Sequence, residues 1–96
     1  MYAVIRRLTT TGDIDEAFRR AEAEYSRALE LQVGFVGHQV IRTGPTEAIS
    51  VVLFDTKDEA DRNRYFTEQF IEVGLAGLGV KLRDEWRGEV QIDSRP

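Results

Sequence analysis

Residues 46–55, TEAISVVLFD, decide the fold, because this short segment is apolar on two alternating faces at once. Successive side chains of a β-strand point to opposite faces of the sheet. The apolar residues therefore form two sets, one on each face: Ile49, Val51 and Leu53, and Ala48, Val52 and Phe54. A strand of this kind needs a covering layer on both sides of its sheet.

Three further segments are predicted to form strands. Residues 35–42 precede the quoted segment and are joined to it by Thr43-Gly44-Pro45, a turn composition that predicts an antiparallel hairpin. Residues 2–8 contain Val and Ile and end at a run of threonines. In the last segment, residues 80–92, apolar and polar side chains alternate. We expect the apolar set to be buried: Val80, Leu82, Trp86, Val90 and Ile92. We expect the polar set to be solvated: Lys81, Arg83, Glu85, Arg87, Glu89 and Gln91.

Two helices are predicted between these strands. Asp13 with Glu16, and Thr56 with Glu59, each have the spacing of a capping box at a helix N-terminus. Apolar residues recur at helical spacing after both boxes, and Gly34 ends the first helix, since glycine tolerates a left-handed backbone.

The order of elements is βαββαβ, which predicts an α+β, ferredoxin-like fold with a four-stranded antiparallel sheet and both helices on one face. The other face would then expose more apolar surface than soluble monomers usually do. We therefore expect a homodimer, a dimeric α+β barrel in which two sheets pack through their open faces. Its apolar interior would be a natural site for a small ligand.

Composition limits the class of protein. With 42% hydrophobic and 31% charged residues, the 96-residue chain is expected to fold as a single domain, residues 1–96. The absence of cysteine excludes disulfides and thiolate sites. A net charge of −4 argues against nucleic acid as a partner. Residues 73–80, the longest uncharged stretch, are too few to cross a bilayer, so we expect no membrane association and a cytoplasmic protein.

Cofactor and metal sites are not indicated by any spacing in the chain. The acids lack the spacing of metal ligands, and no glycine-rich loop opens a helix after a strand. We therefore expect neither a metal ion nor a nucleotide cofactor.

Short features spread over nearly the whole chain match one group of proteins: Tyr2 with Arg6, Gly34-Phe35, Gly44, Phe54, Ala60 and Gly88-Glu89-Val90. Together with the order of elements they resemble the small bacterial dimeric α+β barrels related to antibiotic biosynthesis monooxygenases. This resemblance implies cofactor-free oxygenation of a small aromatic or polyphenolic molecule. The haem-degrading branch of the family has an iron-binding histidine on the second helix, and this chain has none there.

Three residues are candidates for catalysis. His38, the single histidine, and Tyr65 are potential proton acceptors, although the sequence places no acid beside His38. Of Arg6 and its neighbour Arg7, one must point into the barrel and the other toward the helix layer, and an inward guanidinium could bind a carboxylate or enolate. The alternative is that both arginines reach solvent or an acid near the strand end.

Three more residues are ligand-binding candidates. Asn63 lies on the apolar stripe of the second helix and needs a hydrogen-bond partner, which is either nearby backbone or a ligand. Phe54 and Trp86 could line a pocket for a planar molecule, or be ordinary core residues.

Three functions remain open at this point. The first is a cofactor-free monooxygenase in which His38 or Tyr65 accepts a proton while Arg6 and Asn63 stabilise the anion. The second is a non-catalytic homodimer that binds a metabolite or a partner protein. The third is an isomerase of a lactone or dienone, which the same fold can host.

Overall fold

The computed structural model describes all residues 1–96. Its four strands are β1 (Tyr2–Thr9), β2 (Phe35–Gly44), β3 (Glu47–Phe54) and β4 (Lys81–Glu89). Helix α1 joins three segments, α-helical Ile14–Arg20, π-helical Ala21–Ser26 and α-helical Arg27–Leu29. Helix α2 likewise joins α-helical Lys57–Arg62 and Arg64–Gln69 to π-helical Phe70–Gly74.

The strands form one antiparallel sheet in the order β2-β3-β1-β4. The central pair is β1 with β3, and it places Val4 opposite Val52 and Arg6 opposite Ser50. This is the ferredoxin-like arrangement, so the predicted fold class is confirmed.

Both helices begin where the sequence predicts. The Asp13 side chain accepts hydrogen bonds from the backbone amides of Asp15 and Glu16, and Thr56 accepts one from Glu59. These bonds satisfy amide groups that have no partner inside the helix. Helix α1 ends at Leu29, and Gly34 has a φ of 79° in the turn that leads into β2.

The core lies between the sheet and the two helices. Its buried members are Tyr2, Val4, Tyr25, Leu29, Val52, Phe54 and Ala60, with Phe35, Phe66 and Phe70 packed against them. The β3 residues on this face are the second of the two sets predicted from the sequence. No helix is long and apolar enough to cross a membrane.

The orientation of β4 differs from the prediction. Trp86 lies opposite Ile5 on the face away from the helices and is 52% exposed, whereas Glu85 and Arg87 face the helices. The expectation that the charged set is solvated is therefore wrong for Arg87, whose side chain is 13% exposed, and holds only in part for Glu85, whose side chain is 24% exposed. The physical reason is that Arg6 is buried directly opposite Glu85 and needs a carboxylate there.

The face away from the helices is apolar over much of its area, and we call it the open face. It carries Ile5, Ile41, Ile49, Val51, Leu53 and Trp86. At its edge Arg7 forms ion pairs with Asp84 and Glu47, at 2.7 Å and 2.8 Å. Neither helix covers this surface.

Candidate functional site

An apolar cavity of about 80 Å³ opens between the sheet and the helices, and we call it the pocket. Its floor is formed by the helix-facing residues of β1, β2 and β3, and its roof by α1 and the end of α2. Threonines 9, 10 and 46 lie together near the β1 and β3 ends. Two of these hydroxyls already have partners: Thr10 donates to the Leu78 carbonyl oxygen at 2.6 Å, and Thr9 accepts from Arg83 Nε at 2.8 Å.

The pocket exists because small side chains face one another across it. Ala48 and Ser50 alternate on β3, where the next residues on the same face are the larger Val52 and Phe54. Ala17 and Ala21, one helical turn apart, lie above them on α1. Larger residues at these positions would fill the space, as they do at the other end of the sheet.

Two aromatic rings from the π-helical segments form the inner wall. Tyr25 and Phe70 approach with ring centroids 5.0 Å apart, and Tyr25 also stacks on Phe66 at 5.5 Å. A π-helical turn adds a residue to a helix and rotates the side chains that follow, and such turns are frequent at functional sites. Here one turn in each helix supplies a ring to the same wall.

Arg6 supplies the charge at the inner end. Its side chain is only 5% exposed, and Nε donates a 2.8 Å hydrogen bond to Glu85 Oε1. Glu85 is the cross-strand partner of Arg6 and does not line the pocket, whereas Arg6 does. A guanidinium has five N–H donors. With one of them used by Glu85, Arg6 retains donors for a ligand oxygen.

Glu85 belongs to a wider ion-pair network. Its second oxygen accepts from Arg87 Nε at 3.0 Å, and Arg87 Nη1 donates to Asp61 at 2.8 Å. Burial raises the pKa of Glu85, but hydrogen bonds from Arg87 and Arg6 outweigh that effect and hold it below its usual value. The carboxylate therefore stays ionised and fixes the position of Arg6.

Tyr25 begins a chain of side-chain hydrogen bonds. Its hydroxyl lies 2.6 Å from Thr67 Oγ1, and Thr67 donates to Asn63 Oδ1 at 3.2 Å. A hydroxyl has a single hydrogen, so Tyr25 must donate to Thr67. Burial raises the pKa of Tyr25 against the opposing effects of Thr67 and Arg6, which keeps this phenol neutral.

His38 lines the pocket between two serines. Nδ1 lies 3.2 Å from Ser26 Oγ, and Nε2 lies 3.3 Å from Ser50 Oγ. Burial lowers the pKa of His38, and the positive charge of Arg6 lowers it further. In a neutral imidazole one ring nitrogen keeps a lone pair; here that nitrogen faces a serine hydroxyl, so a proton would reach it through that serine.

The other residues proposed from the sequence lie elsewhere. Tyr65 is 71% exposed on α2, and Trp86 lies on the open face, so neither lines the pocket. Phe54 is fully buried beyond the pocket and packs edge-on against Phe35. Arg7 is on the open face, which leaves Arg6 as the arginine that points toward the helices.

Asn63 is buried but does not line the pocket. It reaches the pocket through Thr67 and not through the backbone contact considered from the sequence. Its Nδ2 is buried without an acceptor in the protein. An unpaired buried donor of this kind costs about 1–3 kcal/mol.

Four polar residues of this region were not singled out from the sequence: Ser26, Ser50, Thr67 and Glu85. Ser50 offered a signal, because it interrupts the apolar face of residues 46–55. Thr67 offered another, since it lies one helical turn after Asn63. Nothing in the local sequence identifies Ser26 or Glu85, whose partners lie 12 and 79 residues away.

No family model matches the sequence, and no curated protein matches it. Solved structures with the same fold do exist. A dimeric ferredoxin-like protein from an uncultured marine organism has a TM-score of 0.76 at 12% identity, over 99% of this chain and 98% of the other. The SnoaB oxygenase from Streptomyces nogalater, described as cofactor-independent, has a TM-score of 0.75 at 16% identity over 96% and 94%.

A third structure is the haem degrader MhuD from Mycobacterium tuberculosis, solved with two haems in its active site. It has a TM-score of 0.72 at 15% identity, over 99% of this chain and 100% of the other. Identities this low show a shared fold and leave the function to be argued from the site. The fold-level resemblance to the monooxygenase-like dimeric barrels is thereby confirmed.

Proposed function

We propose that the chain is a homodimer whose pocket binds a small aromatic molecule carrying an ionisable oxygen, and that it oxygenates this molecule without a cofactor. One observation carries the proposal: an apolar pocket ends at the buried guanidinium of Arg6, with the neutral imidazole of His38 beside it. Apolar walls suit a ring, while Arg6 suits the anion formed when that ring loses a proton. The fold shared with a cofactor-independent oxygenase adds support.

In the proposed reaction, His38 accepts the proton of a phenol or enol, and Arg6 binds the resulting oxyanion. The electron-rich anion supplies electrons to dioxygen, so no external reductant is required. One oxygen atom forms a bond to a ring carbon, and the other leaves as water with the single hydrogen of that carbon and the proton that His38 accepted. One C–H group, one O–H group and O₂ thus give two C=O groups and H₂O. Asn63 contributes by holding Thr67 in place.

A haem does not suit the same pocket. The cavity volume of about 80 Å³ is well below the ~300–1,000 Å³ of typical cofactor and ligand sites. His38 is the single histidine, and both its ring nitrogens lie within hydrogen-bond distance of serine hydroxyls. We therefore include no haem step.

The proposed dimer forms through the open face. Half-exposed Trp86 and Ile41 lie on an apolar sheet surface of a kind that monomers rarely leave uncovered. A second copy would cover it in a two-fold, self-complementary contact. Light scattering should give about 22 kDa, twice the 10.9 kDa of one chain. A stable species of 10.9 kDa at micromolar concentration would overturn the dimer.

Oxygenation is tested by oxygen uptake with a panel of phenols and anthrones. We expect uptake with at least one member, a product that has gained one oxygen atom and lost two hydrogens, and loss of turnover in His38→Asn. The matched control is Tyr65→Phe, which changes an exposed phenol outside the pocket. The absence of uptake with every member would contradict the oxygenase function.

A non-catalytic binding protein is the second candidate. One observation favours it: no carboxylate contacts His38, and Glu85, the acid beside Arg6, is already paired with Arg6, Arg64 and Arg87. A panel member that binds with a measurable Kd, is released unchanged and causes no oxygen uptake would support this function over the first.

A further inference from the structure

Three measurable features of the pocket restrict what it can hold. Its volume is about 80 Å³, and a buried apolar cavity of about 150 Å³ holds one benzene molecule. A single ring therefore fits only if its outer edge lies at the open mouth. Two or three fused rings would leave most of their surface outside the enclosed space, whereas ligand sites usually bury about 70–90% of a ligand's surface.

The walls have little freedom to move apart. Most of the floor belongs to β1 and β3, the two central strands, which are hydrogen-bonded on both sides, and the edge strand β2 contributes His38 and Val40. The inner wall is Tyr25, 5% exposed and held by Phe66, Phe70 and Thr67. Widening the pocket would require breaking contacts in a close-packed core.

The polar groups on the floor have a defined arrangement. Arg6 and Ser50 are direct cross-strand partners on β1 and β3, and both side chains face the helices. Directly opposite residues have Cβ atoms about 4.5–5.5 Å apart, close enough for both to contact one ligand oxygen. Ser50 is 8% exposed, lines the pocket and has His38 Nε2 at 3.3 Å.

We infer that the ligand is a one-ring phenol or enol, bound as its anion with the oxygen between Arg6 and Ser50. The inference rests on the proposed function only in taking the pocket as the ligand site. Ser50 donates to the ligand oxygen and accepts a hydrogen bond from the Nε2–H of neutral His38. The space for the ring is the space that the small side chains of Ala17, Ala21, Ala48 and Ser50 leave open.

The first test is binding of 4-nitrophenol, whose absorption spectrum distinguishes the phenol from the phenolate. We expect the bound ring to have a lower pKa than the free ring, with the phenolate bound at least tenfold more tightly, equivalent to one pKa unit. Calorimetry with 2-naphthol and with anthrone should show at least tenfold weaker binding for each. Equal or tighter binding of the tricyclic compound would overturn the inference.

Two variants test the position of the ligand. Ala21→Leu fills the pocket and should weaken 4-nitrophenol binding more than tenfold, while its matched control, Ala23→Leu on the exposed side of the same helical segment, should leave Kd unchanged. Ser50→Ala should weaken phenolate binding at least about tenfold, the loss expected for one hydrogen bond to a charged oxygen. Circular dichroism verifies folding, and the ring-size series on the unaltered protein requires no variant.

The results separate this inference from the oxygenase function. One-ring binding without oxygen uptake supports the ligand class and contradicts oxygenation. Oxygen uptake with anthrone, combined with no binding of 4-nitrophenol, supports oxygenation and overturns the ligand class. Unchanged 4-nitrophenol binding in Ala21→Leu would likewise overturn it.

Discussion

Replacing Glu85 with glutamine should destabilise the fold more than any surface change of equal size. The substitution keeps the shape of the side chain and removes the charge that compensates Arg6. Arg6 is 5% exposed as a side chain and Glu85 is 24% exposed, so their 2.8 Å contact is largely shielded from water. An arginine left without its carboxylate at this depth has no solvent to stabilise it.

The magnitude follows from the burial of the pair. Removing one partner of a buried ion pair costs about 3–5 kcal/mol. Because a quarter of the Glu85 side chain is exposed, we expect a smaller loss, about 2–3 kcal/mol of unfolding free energy. In a domain of this size that loss lowers Tm by roughly 10–20 °C.

Urea denaturation followed by far-UV circular dichroism at pH 7 measures the loss. Protein concentration must be held fixed, since dimerisation would make the apparent stability depend on it. Glu89→Gln is the matched control, because Glu89 is exposed on the same strand and forms no ion pair. We expect that control to change stability by less than about 0.5 kcal/mol.

A double variant separates the cost of an unpaired charge from the value of the pair. Arg6→Met combined with Glu85→Leu removes both charges and should recover most of the stability lost in Glu85→Gln, since apolar residues often replace buried ion pairs without loss. If Glu85→Gln were no less stable than Glu89→Gln, the claim that Glu85 compensates a buried Arg6 would be wrong.

Three further outcomes are expected. The pKa of Glu85 is lower in the folded protein than in the unfolded chain. The stability that Glu85 contributes is therefore present above the unfolded carboxyl pKa of about 4.3 and is lost as the pH falls through the lower folded value. In acid denaturation, the stabilities of wild type and Glu85→Gln should converge. Trp86→Ala should raise the dimer dissociation constant about thirtyfold in sedimentation, a loss of ~2 kcal/mol. Tyr65→Ala, at an exposed residue outside the open face, should leave that constant unchanged. Equal effects of the two variants would place the interface elsewhere. Gly34→Ala should lower the unfolding free energy by about 1–2 kcal/mol in thermal unfolding, because φ is 79° and the new Cβ would meet the Glu59 carboxylate. Gly37→Ala is the control, since the space around Gly37 is open. Similar losses in both variants would contradict a special role for the turn at Gly34.

The periodicity of the sequence was sufficient to predict the fold. The double-faced pattern of β3, the turn at Gly44 and the capping boxes at Asp13 and Thr56 depend on neighbours within a few residues, so each could be recognised locally. The π-helical segments could not, because no short pattern distinguishes them from α-helix. They orient Tyr25 and Phe70, and the inner wall of the pocket was accordingly not predicted.

For the candidate site, the sequence was informative only about residues that stand out without knowledge of their partners. Arg6, His38 and Asn63 stand out as polar groups on apolar faces, and the structure places Arg6 and His38 in the pocket. Their partners depend on register and on helix placement, which a single sequence does not specify. Trp86 was assigned to the wrong face of the sheet. An aromatic residue in an alternating strand suits either face when both faces of the sheet are covered, so alternation alone could not decide.

Charge pairing between β1 and β4 explains the orientation of β4. The antiparallel register places Glu85 opposite Arg6 and Asp84 opposite Arg7, so each arginine meets an acid on its own face of the sheet. A slip of two residues in either direction would leave each side chain on its face but place Arg87 or Arg83 opposite Arg6, and like charges directly opposite are destabilising. A slip of one residue would exchange the faces and bring Trp86 to the helix side. The apolar alternation of β4 alone favours that exchanged orientation. It does not form because one direction would place Trp86 opposite buried Arg6, and the other, which places Asp84 there, would place Arg83 opposite Arg7.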